Sequence, residues 1–291
     1  MDQVTFLWTL ASMLFAGLAL FMQKVVAEER RSSAFNGFVM YGVSGVIAAV
    51  TLLVLRELPP SWIVITVFGL AAGGVHGLGN FIRIESLKYI DSVLYFPLNK
   101  ILGPLLVVIG GVIVFGDTLT IAQYIGIGLS LTVPLLLVSS VEHQRQTNLI
   151  LGLKLLLASS ILTAGSLLLS KQGLLYGSAV LLMLCTSQIA GTITSASILM
   201  RQHGAGRTMF SHAGRRDIHL GLFSAFFNFV SAYCLYEALN SGLVSLVYVI
   251  QAHYILIPII LSVWWYKDHI NLRKFGAVAV SFLAITMLYT G

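Results

Sequence analysis

The chain has 291 residues, of which 57% are hydrophobic and only 10% charged, against about 25% charged in soluble proteins. This excludes a soluble globular domain and predicts an all-α integral membrane protein. The net charge is +6, but the basic residues lie in short clusters between apolar runs and form no stripe along a helix. Nucleic-acid binding is therefore not expected.

A helix needs about 20 mostly apolar residues to cross roughly 30 Å of hydrocarbon, and ten stretches qualify in chain order: 4–25, 34–55, 61–89, 93–115, 119–138, 149–170, 178–200, 218–238, 243–265 and 272–289. The first has no basic residue before it and is too long for the core of a cleavable signal, so it is expected to remain in the mature protein. Cys185 and Cys234 fall inside separate apolar stretches, which predicts buried thiols and no disulfide framework. The connections are too short to fold as domains of their own.

Orientation is read from Lys and Arg, which cytoplasmic loops retain. The odd-numbered connections hold Lys24, Arg30, Arg31, Arg145, Arg201, Arg207, Arg215, Arg216, Lys267, Arg273 and Lys274, and the even-numbered ones only Arg56 and Lys171. That distribution places the odd connections in the cytoplasm and both termini outside, in an inner or plasma membrane.

The chain also resembles itself. Glu85-Ser-Leu-Lys, a helix containing Pro104 and the pair Gly116-Asp117 recur as Glu237-Ala-Leu-Asn, a helix containing Pro258 and Lys267-Asp268. A glycine-centred helix follows each time, around Gly126 and Gly276. Five spans per copy is an odd number, so the second copy, 146–291, is expected to enter the membrane upside down relative to the first, 1–145. Inverted repeats of this kind form sites near the midplane and alternate access by rocking one half against the other.

Ten spans arranged five plus five, the closes Ser86-Leu87-Lys88-Tyr89 and Ala238-Leu239-Asn240, the prolines in spans four and nine and the acidic residue after each resemble the EamA-like drug/metabolite transporters. The resemblance covers nearly the whole chain and implies a secondary carrier. Members usually show Gly-Glu-Arg where this chain has Gly116-Asp117-Thr118 and Lys267-Asp268-His269. Members also usually have both termini inside, the reverse of the charge count.

Ionisable groups within spans are costly and face cavities or partners, which makes them the first functional candidates. With the turn between spans three and four near Asp91, Glu85 lies roughly 8 Å deep, Arg83 roughly 11 Å and Lys100 roughly 14 Å. A local cluster of Glu85 with Lys100 or Arg83 is therefore allowed, as a structural ion pair or as a receiver of an anionic solute. Lys100, the deepest, is the leading candidate. For Arg83 and Lys88, snorkelling to the interface competes with binding. Glu237, the repeat partner of Glu85, should lie near the opposite mouth, and either carboxylate could exchange a proton as access alternates.

His253 and Gln251 on span nine correspond to Ile101 and Asn99 on span four. For His253, satisfaction by a neighbouring helix competes with use. His76 sits beside Gly69, Gly73 and Gly77, whose spacing of four forms a small-residue packing face. Asn80 and Asn228 could line a cavity or bond across helices, and Tyr95, Tyr248 and Tyr254 could form aromatic walls. The segment from Arg201 to Asp217, with His203 and His212, fits no metal-ligand spacing and reads as a solvated positive loop. No nucleotide-binding or hydrolase motif is present, so no catalytic residue, metal or cofactor is expected.

The expected function is secondary transport of a small polar metabolite, an amino acid, organic acid or phosphorylated compound. Protons are the candidate coupling ion, membrane lipids the surroundings, and a monomer or homodimer the assembly. A flippase for a lipid-linked sugar is the alternative within transport, and a membrane enzyme or scaffold the alternative outside it.

Overall fold

The computed structural model describes residues 1–29, 32–55, 58–86, 89–90, 92–137, 148–203, 214–266 and 272–291. Arg30, Arg31, Arg56, Lys88, Arg145, Arg207, His212 and the Lys267-Asp268 pair, used above, lie outside these residues. The described residues form helices α1 Gln3–Glu28, α2 Ser33–Leu55, α3 Trp62–Ser86, α4 Ser92–Gly110, α5 Ile121–Leu137, α6 Leu149–Leu175, α7 Val180–His203, α8 Arg215–Ser241, α9 Val244–Ala252, α10 Leu256–Tyr266 and α11 Leu272–Thr290. Span nine is α9 and α10 joined by a 3₁₀ turn, His253–Ile255, and α11 is span ten. Nine of these spans are long and apolar enough to cross a membrane, and α5, at 17 residues, reaches about 26 Å. The chain is an all-α, multi-pass membrane protein.

Two boundaries differ from the sequence reading in ways that matter. α6 continues past Ser170 to Leu175, so Lys171 is a buried helical residue and no loop cation. Span nine is broken at His253, three residues before the helix resumes towards Pro258; proline lacks the N–H that a continuous helix would use there. Span four carries its own irregularity, a π-helical turn at Gly111–Phe115 that ends where Gly116 adopts a left-handed φ of 69°. Only glycine takes that conformation without strain.

Large apolar side chains such as Leu53, Ile113, Ile121 and Phe282 are exposed, as expected where the solvent is lipid. Helix association therefore leans on close backbone approach and polar bonds. α3 packs on α7 through its glycines: a β-carbon at Gly69, Gly73 or Gly77 would lie 1.9 Å from Thr186 Oγ1, 2.2 Å from the Ser187 carbonyl and 2.6 Å from Thr194, respectively. The other principal pairs are α1 with α8, α3 with α6, α2 with α7, α2 with α8, α5 with α11, α4 with α6 and α4 with α9. This pairing maps onto itself when each of the first five spans is exchanged for the span five later. α1 accordingly meets span nine as α6 meets α4.

The exchange extends to single hydrogen bonds. Asn99 Nδ2 donates to Ser160 Oγ (3.1 Å) between α4 and α6, and Gln251 Nε2 donates to Ser12 Oγ (3.1 Å) between α9 and α1. The amide residues are 152 positions apart and the serines 148, so each bond is the counterpart of the other.

The glycine face gives a direct stability prediction. Gly73→Ala, whose new methyl would meet a backbone carbonyl, should destabilise by about 1–3 kcal/mol. Gly74→Ala, with nothing within 4 Å, should leave the thermal unfolding temperature in detergent unchanged or slightly raised. Equal midpoints for the two variants would contradict this packing.

Candidate functional site

The residues singled out in the sequence divide into two groups according to what they touch. The first group ties helices together. Tyr95 is fully buried and its hydroxyl meets Ser159 Oγ at 2.9 Å, which, with Asn99 one turn along, seams α4 to α6. Asn228 Nδ2 donates to Ser44 Oγ (3.2 Å) and to Gln188 Oε1 (3.4 Å), joining α8 to α2 and α7. Gln251 is occupied by Ser12. Hydrogen bonds of this kind replace the water that a buried amide would otherwise need.

The second group lies on α3 and α4. His76, Asn80 and Arg83 recur at i, i+4 and i+7 and so share one face of α3. The His76 ring packs edge-on against Tyr41 of α2, with centroids 6.4 Å apart. The Arg83 guanidinium acts electrostatically on Tyr41, His76, Tyr95, Tyr248 and Tyr254, side chains from α2, α3, α4, α9 and the 3₁₀ turn. Lys100 of α4 donates to the Tyr254 hydroxyl, and its ammonium lies 3.9 Å from the centroid of that ring, an arrangement that favours the cation.

No carboxylate among the described residues forms an ion pair with Arg83 or Lys100. The Glu85–Lys100 and Glu85–Arg83 clusters allowed by depth therefore do not form. Lys100 reaches across to span nine instead, because its long stem spans the gap between α4 and the broken turn. Glu237, partly buried on α8, has its main-chain carbonyl bonded by Ser241 Oγ at 3.2 Å. Among the described residues, no three His, Cys, Asp or Glu side chains converge as a metal site would require. Cys185 and Cys234 are buried free thiols.

Two openings accompany these groups. The larger, about 410 Å³, runs between α3, α6 and the π turn and is lined by Val75, Phe115, Ile161, Leu168 and their apolar neighbours, with Gln172 as its polar residue. It holds none of the charged candidates. The smaller, about 10 Å³, is lined by Lys100, Pro104, Ser130, Pro134, Val249 and His253, among others.

A second buried charge cluster was not recognised from the sequence. Lys171 Nζ donates to the carbonyls of Leu239 (2.5 Å) and Gly242 (3.1 Å), closing the C-terminal end of α8. Asp117 Oδ2 accepts the Ser245 N–H at 2.9 Å, closing the N-terminal end of α9. Cations suit helix C-termini and anions N-termini. Asp117 also acts on Lys171 electrostatically, so one opposite-charge pair seals the break between two helices. The signal was available: Lys171 stands 147 positions after Lys24, nearly the repeat spacing.

A model of the EamA-like transporter family matches residues 150–290. Among curated proteins nothing matches. Among solved structures 28 chains are similar. One is the crystal structure of a protein 15% identical to this chain, with a TM-score of 0.78 and coverage of 98% of this chain and 95% of that one. At that identity the likeness concerns the fold.

The helix-end cluster predicts a large structural effect. Lys171→Met should lower stability in detergent by about 3 kcal/mol, the scale for stranding one member of a buried charge pair, read as a fall in the thermal unfolding midpoint. An unchanged midpoint would remove Lys171 from that role.

Proposed function

From the match of residues 150–290 to a model of the EamA-like transporter family, we propose that the chain is a membrane transporter of the drug/metabolite transporter superfamily and a secondary carrier for a small metabolite bearing an anionic group. It works by alternating access between two halves, 1–145 and 146–291, inserted in opposite senses. The exchange symmetry of the helix pairs and the matching Asn99–Ser160 and Gln251–Ser12 bonds support that division.

The observation that carries the reading is the pair of cations within the spans. Arg83 and Lys100 lie within membrane-spanning helices and neither forms an ion pair with a carboxylate among the described residues, and intramembrane charge is retained where it serves a function. A carboxylate or phosphate supplies the missing counter-charge, with charge-assisted hydrogen bonds about twice as strong as neutral ones. The phenols of Tyr41, Tyr248 and Tyr254 lie within electrostatic range of Arg83 and offer rings and hydroxyls to the rest of the solute. Gly69, Gly73 and Gly77 hold α3, and with it Arg83, close against α7.

Transport by proteoliposomes tests this. Across a panel of amino acids, organic acids and phosphorylated compounds, uptake should be confined to anion-bearing solutes. Lys100→Ala and Arg83→Gln should each reduce it about tenfold or more, the equivalent of losing a hydrogen bond to a charged group. Background uptake across the panel, or undiminished uptake by Lys100→Ala, would remove the basis for an anionic substrate.

The charge count supports termini on the outer side of a plasma membrane. With Lys171 withdrawn into α6, only Arg56 remains on the other side of the comparison. A single cysteine introduced at Gly291 in a cysteine-free background should react with impermeant maleimide in intact cells. Labelling only after permeabilisation would reverse the orientation.

A further inference from the structure

His253 lies at the break in span nine and is 3% exposed. Its Nδ1 meets the carbonyls of Val249 (3.0 Å) and Ile250 (3.3 Å). A carbonyl only accepts, so Nδ1 carries the hydrogen and Nε2 is a bare lone pair. That Nε2 is buried and has no hydrogen-bond partner, a costly condition for a polar atom. His253 lines the small cavity of about 10 Å³ with Lys100 and Ser130, roughly the room one water needs. Ser130 is committed to the Gly126 carbonyl at 2.8 Å. The cavity is thus lined both by the ring that carries an open acceptor and by one cationic side chain.

We propose that His253 Nε2 is a proton-binding site and that Lys100, across the same cavity, lowers its proton affinity until an anion compensates the lysine. The inference rests on the anionic-substrate reading above. The step adds one proton from water to the Nε2 lone pair while Nδ1–H stays on the Val249 carbonyl, and access on the other side releases it. With Lys100 uncompensated, an imidazolium would face a like charge. An anion at Lys100 lifts that repulsion, so anion and proton each raise affinity for the other by the same factor. The carrier then moves them together.

The groups around the turn allow this assignment. α4 contributes Lys100, α9 contributes Tyr248 and the turn itself Tyr254; α5 brings the hydroxyl of Ser130, and α1 that of Ser12, held by Gln251. Among the described residues, none of these elements brings a carboxylate to the cavity. Among the described residues, the charged side chain that lines the cavity with the imidazole is the lysine.

Protein labelled with ring-¹⁵N histidine in lipid nanodiscs tests the proposal without a substrate, with the His253 signal identified by its loss in His253→Gln. In the wild type, Nε2 should pass reversibly between neutral and protonated forms within about pH 5 to 8. Lys100→Gln and Lys100→Met should each raise its proton affinity about tenfold or more, and Lys100→Arg should not. A His253 signal that stays neutral throughout in the wild type overturns the proposal, as does a midpoint indifferent to the charge at position 100. Anion transport without this linkage overturns the coupling alone. Linkage in a protein that transports no anion leaves the proton site standing and overturns the reading of the previous section.

Discussion

Hydrocarbon offers no water to a charge or to an interrupted backbone, so each must find its partner within the protein. The organisation of this chain follows from where it meets that requirement and where it leaves a charge without a carboxylate. At the junction of α8 and α9 it is met fully: Lys171 accounts for two carbonyls, Asp117 for an N–H, and the two charges attract each other. Between α4 and α6, and again between α9 and α1, an amide and a serine satisfy one another. These contacts make a frame whose polar groups have little left to offer a solute.

The centre is different. Arg83 and Lys100 form no ion pair with a carboxylate among the described residues, and Lys100 lies against Tyr254, which solvates a cation without neutralising it. The frame determines their position, since the glycines of α3 set its distance from α7 and the Tyr95 and Asn99 seam sets α4 against α6. The break at His253 lies opposite Lys100, where a helix interruption can be tolerated because it faces a cavity and not lipid. Fold and site are in this sense one problem: the same absence of water that demands the frame gives the central charges their strength.

Much of the fold was legible in the sequence because the bilayer imposes a length and polarity on each span that no other environment imposes. Span ends mostly fell within a few residues. The miss at α6 has a specific cause: Lys171 interrupts an apolar run, and hydropathy cannot distinguish a lysine in solvent from one folded onto the carbonyls of Leu239 and Gly242. The candidate site was legible as a set of residue types and not as an arrangement. Depth along two helices allowed Glu85 to meet Lys100, but depth says nothing about rotation, and the lysine turned to Tyr254. Asn99, Gln251 and Asn228 read equally as lining or as cross-helix bonds, since both uses demand a polar residue in an apolar helix.

The central claim is that an anion completes the charge between α3 and α4. Its most direct measurement is an anomalous-scattering map of crystals soaked with an iodinated benzoate, in which the heavy atom reports the position of a carboxylate-bearing ring. The account predicts a peak in the central space, with the carboxylate within hydrogen-bonding distance of Arg83 or Lys100. Density confined to the apolar groove between α3 and α6, with both cations in place and no anion beside them, would contradict it.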